Sequence, residues 1–178
     1  MKILIGLCAL LTLVVTSPIQ KWQRSGDGCP YLIEHEQMFN WFQAWEECLQ
    51  NNMTLLAVDS SYKHRQITLL LKELFPKNLT YWIGAHDWIR PKQFVWQSTH
   101  AAMHFSDWVA GQPNYGSDHC VRNSAAENQW YDSNCHDNYG FICENLQCSN
   151  EKNLAYEKST VTSKYNVHFW NVLGNQKP

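Results

Sequence analysis

Residues 112–144 read QPNYGSDHCVRNSAAENQWYDSNCHDNYGFICE, from Gln112 to Glu144, and their reading decides the fold. Three of the chain's seven cysteines, Cys120, Cys135 and Cys143, fall in this stretch. Its end, Tyr139 to Glu144, reads as a closing strand. Before that strand, residues 97–138 are rich in Trp, Asn, Gly and Asp and show few periodic runs, so a long looped region is predicted. Loops of that length inside a compact domain are usually functional.

Working outward, the remaining cysteines are Cys8, Cys29, Cys48 and Cys148. Cys8 sits in an N-terminal segment built as Lys2, an apolar run from Ile3 to Val15, then the small residues Thr16 and Ser17. That is the layout of a cleavable secretory signal over residues 1–17. The run is too short to span a bilayer, and no later stretch reaches the roughly 20 apolar residues a span needs. A secreted, extracellular protein is therefore expected, with no membrane span. Without Cys8 an even set of cysteines remains, which in an exported chain implies disulfide bonds but does not choose their connectivity. Zinc is the rival use, and no paired Cys-x-x-Cys spacing supports it. Asn52-Met53-Thr54 and Asn78-Leu79-Thr80 both fit the N-glycosylation pattern, which would place Asn52 and Asn78 at the surface.

The 178 residues suffice for one compact domain with appendages, and 44% hydrophobic and 13% aromatic content can fill its core. The formal net charge of −2 carries no clustered basic face, so no nucleic-acid partner is expected. A polar linker over residues 18–28 leads to a short first strand at Tyr31 to Ile33. Asn40 then caps a helix with Trp41, Ala44, Trp45, Cys48 and Leu49 at apolar spacing. A second amphipathic helix follows Ser60 and Ser61, with Ile67, Leu70, Leu71 and Leu74 on one stripe, and stops before Pro76. Tyr81 to Ala85 and Phe94 to Trp96 read as strands. From residue 149 to 178 the chain is a polar tail apart from Val167 to Leu173, which holds Phe169 and Trp170.

The order of landmarks over residues 29–148 resembles the C-type lectin family. They are the helix ending in Cys48, Trp82-Ile83-Gly84, the Phe105 to Trp108 pair, Gln112-Pro113-Asn114, Cys120, Trp130-Tyr131-Asp132, Cys135 and Phe141-Ile142-Cys143-Glu144. The spacing and the many tryptophans are most similar to short secreted insect lectins. The resemblance implies an α+β fold: two helices with small antiparallel sheets and a long looped binding region, disulfide-braced. It implies the bridges Cys48–Cys143 and Cys120–Cys135. Cys29 departs from the long-form pattern, since the position of its usual partner falls near Phe39, Asn40 and Trp41. By elimination Cys29 pairs with Cys148, and an intermolecular bridge giving a homodimer is the competing outcome.

By motif position, the resemblance assigns Gln112, Asn114, Asp118 and Asp132 as calcium ligands that also bind sugar hydroxyls, with a cis bond before Pro113. Calcium takes six to eight oxygen ligands, so several such groups must converge on rigid loops. Tyr131 stands where the family has an asparagine ligand, and a phenol substitutes poorly for an amide carbonyl. Tyr131 is thus assigned to the carbohydrate face, and calcium affinity should be reduced. In the family Glu-Pro-Asn accompanies mannose-type ligands and Gln-Pro-Asp galactose-type ones. Gln112-Pro113-Asn114 is a hybrid of the two, and Gln112 tips the reading toward galactose. Tyr115 or Trp130 could stack on the sugar's apolar face, although a core role is the stronger reading of Trp130.

The implied function is calcium-dependent binding of glycans or glycoproteins. The alternative is a lectin-like protein-interaction module whose calcium and sugar site has decayed, which Tyr131 and the tail favour. Enzyme chemistry has no residues to rest on. His100 and His104 lack the glutamate of a zinc protease between them, and no nucleophile elbow or phosphate loop is present. His119 and His136 flank cysteines near the site and could make binding sensitive to pH.

Overall fold

The computed structural model describes residues 21–26, 28–75 and 79–146. Its elements run β1 (Trp22–Arg24), β2 (Pro30–Phe39), α1 (Trp41–Gln50), β3 (Thr54–Leu55), α2 (Ser61–Leu74) and β4 (Thr80–His86). They continue as β5 (Val95–Trp96), β6 (Cys120–Ser124), β7 (Gln129–Ser133) and β8 (Tyr139–Glu144). The strands join in the order β1-β2-β8-β4-β6-β7, with β3 on β8 and β5 on β4. The expected α+β fold with two helices forms. Its strands, however, make one connected sheet, in which β4 and β8 run parallel, rather than separate antiparallel ones. Within the segment expected as linker, Trp22–Arg24 forms β1 and pairs with β2.

Strand alternation divides the core. Tyr81 and Ile83 of β4 and Ile142 of β8 face α2 through Ile67, Leu70 and Leu71. Their neighbours Trp82, Phe141 and Cys143 face α1 through Trp41, Ala44 and Cys48. The sheet is therefore buried on both faces, as successive side chains of a strand point opposite ways. Asn40 caps α1 in a reciprocal box with Gln43, and Ser60 caps α2 by accepting from the Lys63 N–H. The indoles of Trp41 and Trp82 donate to the carbonyls of Ile83 and Phe39, each at 2.9 Å, so both rings are buried without an orphaned donor. A Cβ on Gly140 would lie 2.5 Å from the Glu34 carbonyl oxygen, so only glycine lets β8 pass the irregularity in β2.

Two bridges brace this frame. Cys48–Cys143 ties α1 to β8, and Cys120–Cys135 joins the start of β6 to the chain just past β7. They enclose 95 and 15 residues of sequence separation. Closing loops of those sizes is worth about 4.5 and about 3 kcal/mol on the chain-entropy model. Cys29 is also disulfide-bonded. The expected partner Cys148 lies outside the described residues, as do the signal segment, the tail and Asn78. Asn52 is exposed in the turn after α1.

Candidate functional site

The region expected as one long loop is partly a hairpin. β6 and β7 pair from Cys120↔Ser133 to Ser124↔Gln129. Residues 105–109 are laced to β7: the Trp130 N–H donates to Asp107 O at 2.8 Å and the Val109 N–H to Trp130 O at 3.1 Å. Phe105 and Trp108 pack edge-on against the Trp130 ring, which is wholly buried. Trp130 is thus the anchor of the loop and is not available to a ligand. Tyr115 is 43% exposed and is the aromatic that a sugar could reach.

That anchoring delivers residues 112–116 to the end of β7. The Gln112–Pro113 bond is cis. Asp132 is 4% exposed, and its Oδ1 accepts the Asn114 N–H at 3.2 Å while Oδ2 accepts the Tyr115 N–H at 2.9 Å. The side-chain carbonyl of Gln112 also accepts the Asn114 N–H, and that of Asn114 accepts the Gly116 N–H at 3.1 Å. A Cβ on Gly116 would sit 3.4 Å from Asn114 Oδ1 and 3.9 Å from an Asp118 oxygen, so Asn114 and Asp118 flank the same turn. Burial first, and then the charges of Asp132 and Asp137, hold the Asp118 carboxyl above its ordinary range, against a smaller opposing pull from His119. Gln112, Asn114, Asp118 and Asp132 therefore lie around one loop.

Tyr131 does not join them. Strand alternation sends it to the opposite face of β7 from Asp132. There the Arg122 guanidinium lies 4.1 Å from the ring centre, and the phenol donates to Glu127. The carbohydrate role assigned to Tyr131 thus has no geometric support in this arrangement. The sequence offered no warning, because Arg122 and Glu127 become neighbours only through the hairpin register.

The four converging groups offer oxygen donors alone, the chemistry a hard divalent cation requires. Each amide or carboxylate oxygen already accepting a loop N–H keeps a second lone pair. The donor set is short by comparison with six to eight ligands, so backbone, water or sugar oxygens would have to complete it. Among the described residues no cluster of three or more His, Cys, Asp or Glu is built to hold a metal.

His119 adds a structural link beside this site. Its Nδ1 lies 2.9 Å from Asp87 Oδ1, and Asp87 Oδ2 accepts the Lys92 N–H at 2.6 Å. The buried Asp87 carboxylate thus fastens the β4–β5 connection to the strand that follows Asp118. The role of Asp87 carries no signal in the sequence, because nothing there marks it as buried.

The model of the Lectin C-type domain matches residues 37–145. The chain belongs to the C-type lectin domain family. It is 34% identical over 146 residues to Lectin subunit alpha of Sarcophaga peregrina, a match covering 76% of this chain and 51% of that protein. It is 31% identical to Salivary C-type lectin 1 of Aedes albopictus, covering 60% of this chain and 76% of that one. The fold superposes on the human scavenger receptor C-type lectin carbohydrate-recognition domain with a TM-score of 0.60 and 24% identity, over 72% of this chain and 98% of that domain. The C-type lectin domain is a binding module and not an enzyme, and this chain's similarity is to insect lectins. Among the described residues no helix is long and apolar enough to cross a membrane.

Proposed function

We propose that the protein is a secreted lectin that binds glycans or glycoproteins through the Gln112–Asn114 loop, with calcium as the cofactor and galactose-type sugars preferred. The observation that carries this reading is that the buried Asp132 carboxylate grips the Asn114 and Tyr115 backbone, with Asn114 and Asp118 flanking the same turn and the charge of Asp132 felt at Asp118. Two lectins of flies and mosquitoes among its relatives agree with it. Disulfides within the domain suit an oxidising, extracellular setting.

Gln112, Asn114, Asp118 and Asp132 would hold the ion. When bound, calcium supplies the charge that favours exchange of water for a pair of sugar hydroxyls. The protein's own contribution is orientation: Asp132 fixes the loop backbone, and the amides of Gln112 and Asn114 present both a carbonyl acceptor and an NH2 donor to hydroxyls. Tyr115 offers a half-exposed ring to the apolar face of the sugar.

The test is chromatography of the mature protein on galactose and mannose resins. Retention in calcium with release by chelator is expected, with stronger retention on galactose. Flow-through on both resins together with a blank glycan array would overturn the reading. The second reading, a protein-interaction module with a decayed sugar site, is favoured by Tyr131, whose hydroxyl is engaged by Glu127.

A further inference from the structure

Lys92 (φ 70°) and Tyr115 (φ 56°), whose side chains meet, both have left-handed backbone, as does His100 (φ 55°) in the adjoining cavity wall. Each non-glycine residue held in this conformation costs on the order of 1 kcal/mol and persists only where its surroundings enforce it. The enforcement is visible. The buried Asp87 grips the Lys92 N–H, and Asp132 grips the Tyr115 N–H. These contacts hold Lys92 Nζ 5.6 Å from the centre of the Tyr115 ring, directly after the Gln112–Asn114 triplet.

A cavity of about 310 Å³ adjoins this pair, lined by Arg90, Gln93, Phe94 and His100 among others. That volume is at the small end of ligand-pocket sizes. Phe94 links the two features, since its ring centroid is 6.4 Å from that of Tyr115. Among the described residues neither Arg90 nor Lys92 has a carboxylate partner, so both cations face solvent. The one carboxylate lining the cavity, Asp87, already has both oxygens engaged.

We propose that Lys92 and Arg90 receive an acidic substituent, a sulfate or carboxylate, of the glycan whose neutral ring sits at Gln112–Asn114, which makes this an acidic-glycan lectin. The proposal rests on the sugar-site reading above. Its physical content is a division of labour. The oxygen-rich, negatively charged side at Asp118 and Asp132 suits a cation and hydroxyls and would repel an anion. The cationic side, across Tyr115, is where an anion would be accepted. Lys92 supplies a point charge, and Arg90 supplies a planar fork suited to sulfate or carboxylate.

The experiment measures calorimetric affinities in calcium for methyl β-galactoside, its 3-sulfate, its 6-sulfate and methyl β-galacturonide. The wild-type protein and the variants Lys92→Gln and Arg90→Gln are compared. The readout is the ratio of acidic to neutral affinity. The wild-type ratio is expected to favour at least one acidic sugar. Each variant should reduce that ratio about two- to five-fold, the worth of a solvent-exposed ion pair. The wild-type preference should also shrink as salt rises from roughly 0.05 to 0.5 M, a readout that needs no variant. Comparison of the sulfates with the uronide separates the two kinds of anion.

Neutral galactoside bound as tightly as every acidic one would overturn this inference while leaving the sugar site standing. A preference that survives both substitutions and high salt would overturn it too. Absence of binding to all four sugars would remove the sugar site and this inference together.

Discussion

Asp132 holds Tyr115 by its backbone, accepting that residue's N–H on Oδ2 at 2.9 Å while Asn114 donates to Oδ1. Asp118, by contrast, makes no such bond among the described residues and lies near Asp132 and Asp137, whose charges add to the effect of burial in raising its pKa. The two carboxylates should therefore respond oppositely when neutralised. Asp132→Ala leaves the Tyr115 N–H without its acceptor, while the Asn114 N–H keeps the Gln112 carbonyl; the loss should cost about 1–3 kcal/mol and abolish calcium-dependent glycan binding. Asp118→Asn relieves like-charge repulsion, so in chelator it should melt no lower than wild type, yet bind calcium more weakly. Melting curves with and without calcium check both. Asp118→Asn melting well below wild type in chelator would contradict the charge account.

Far from the loop, Lys63 of α2 is ion-paired with Glu144 of β8, with side chains 5% and 3% exposed. The Ala57 N–H also donates to Glu144, at 2.8 Å. Burial raises the Glu144 carboxyl above its ordinary value, and Lys63 and that N–H only partly offset it. A folded pKa above the unfolded one means that the folded state holds the proton more tightly. Stability from this group therefore grows as pH falls through the folded value and weakens as pH rises. Lys63→Met leaves a buried carboxylate unpaired and should cost about 3–5 kcal/mol at neutral pH. The gap from wild type should narrow at acid pH, where Glu144 is protonated. Denaturant unfolding at pH 7 and pH 4.5 measures it, and an equal gap at both would refute the pairing's role.

How much of this could be read in advance varies by element, for physical reasons. α1 was legible because Asn40 and the spacing of Trp41, Ala44 and Cys48 are local signals, and all three of those apolar residues are buried. Leu49 continues the pattern but is 52% exposed, because the stripe outruns the surface it packs on. The β6–β7 hairpin was not legible: its inward positions include Asn123 and Asp132, polar residues that periodicity counts as loop. Lys63 within α2 reads as a solvated lysine until Glu144, far along the chain, arrives beside it. The grouping of Gln112, Asn114, Asp118 and Asp132 around one loop is signalled by motif position alone, since no local periodicity brings Asp132 to the 112–118 segment. The capture of Tyr131 and the placement of Lys92 depend on non-local register and on a buried Asp87.

His86, wholly buried against Trp41 and Trp88, bonds Gln97 across 2.7 Å. Burial chiefly lowers its pKa from 6.5 to about 4, the Gln97 bond opposing. The unfolded chain takes up this proton at higher pH than the folded one. Stability present above pH 6.5 is therefore lost as pH falls toward 4, by up to about 1.4 kcal/mol per pH unit. His86→Gln should flatten that limb of the stability profile, measured by urea unfolding between pH 7 and pH 4. A limb as steep as wild type would place the sensitivity elsewhere.

The hybrid triplet offers a separate handle on sugar class. Gln112 and Asn114 each present a neutral amide, and the Asn114 carbonyl already accepts the Gly116 N–H. Asn114→Asp keeps that acceptor and adds a charge, giving the Gln-Pro-Asp order that accompanies galactose-type ligands in the family. It also adds a third carboxylate beside Asp118 and Asp132, which should tighten calcium several-fold while lowering stability in chelator. Gln112→Glu gives the Glu-Pro-Asn order and should move preference toward mannose, with a similar gain in calcium affinity. Competition of galactose and mannose for an immobilised glycoprotein reads the preference, and calorimetry reads the calcium. If neither variant changes the galactose-to-mannose ratio while both still bind calcium more tightly, the triplet holds the ion but does not choose the sugar.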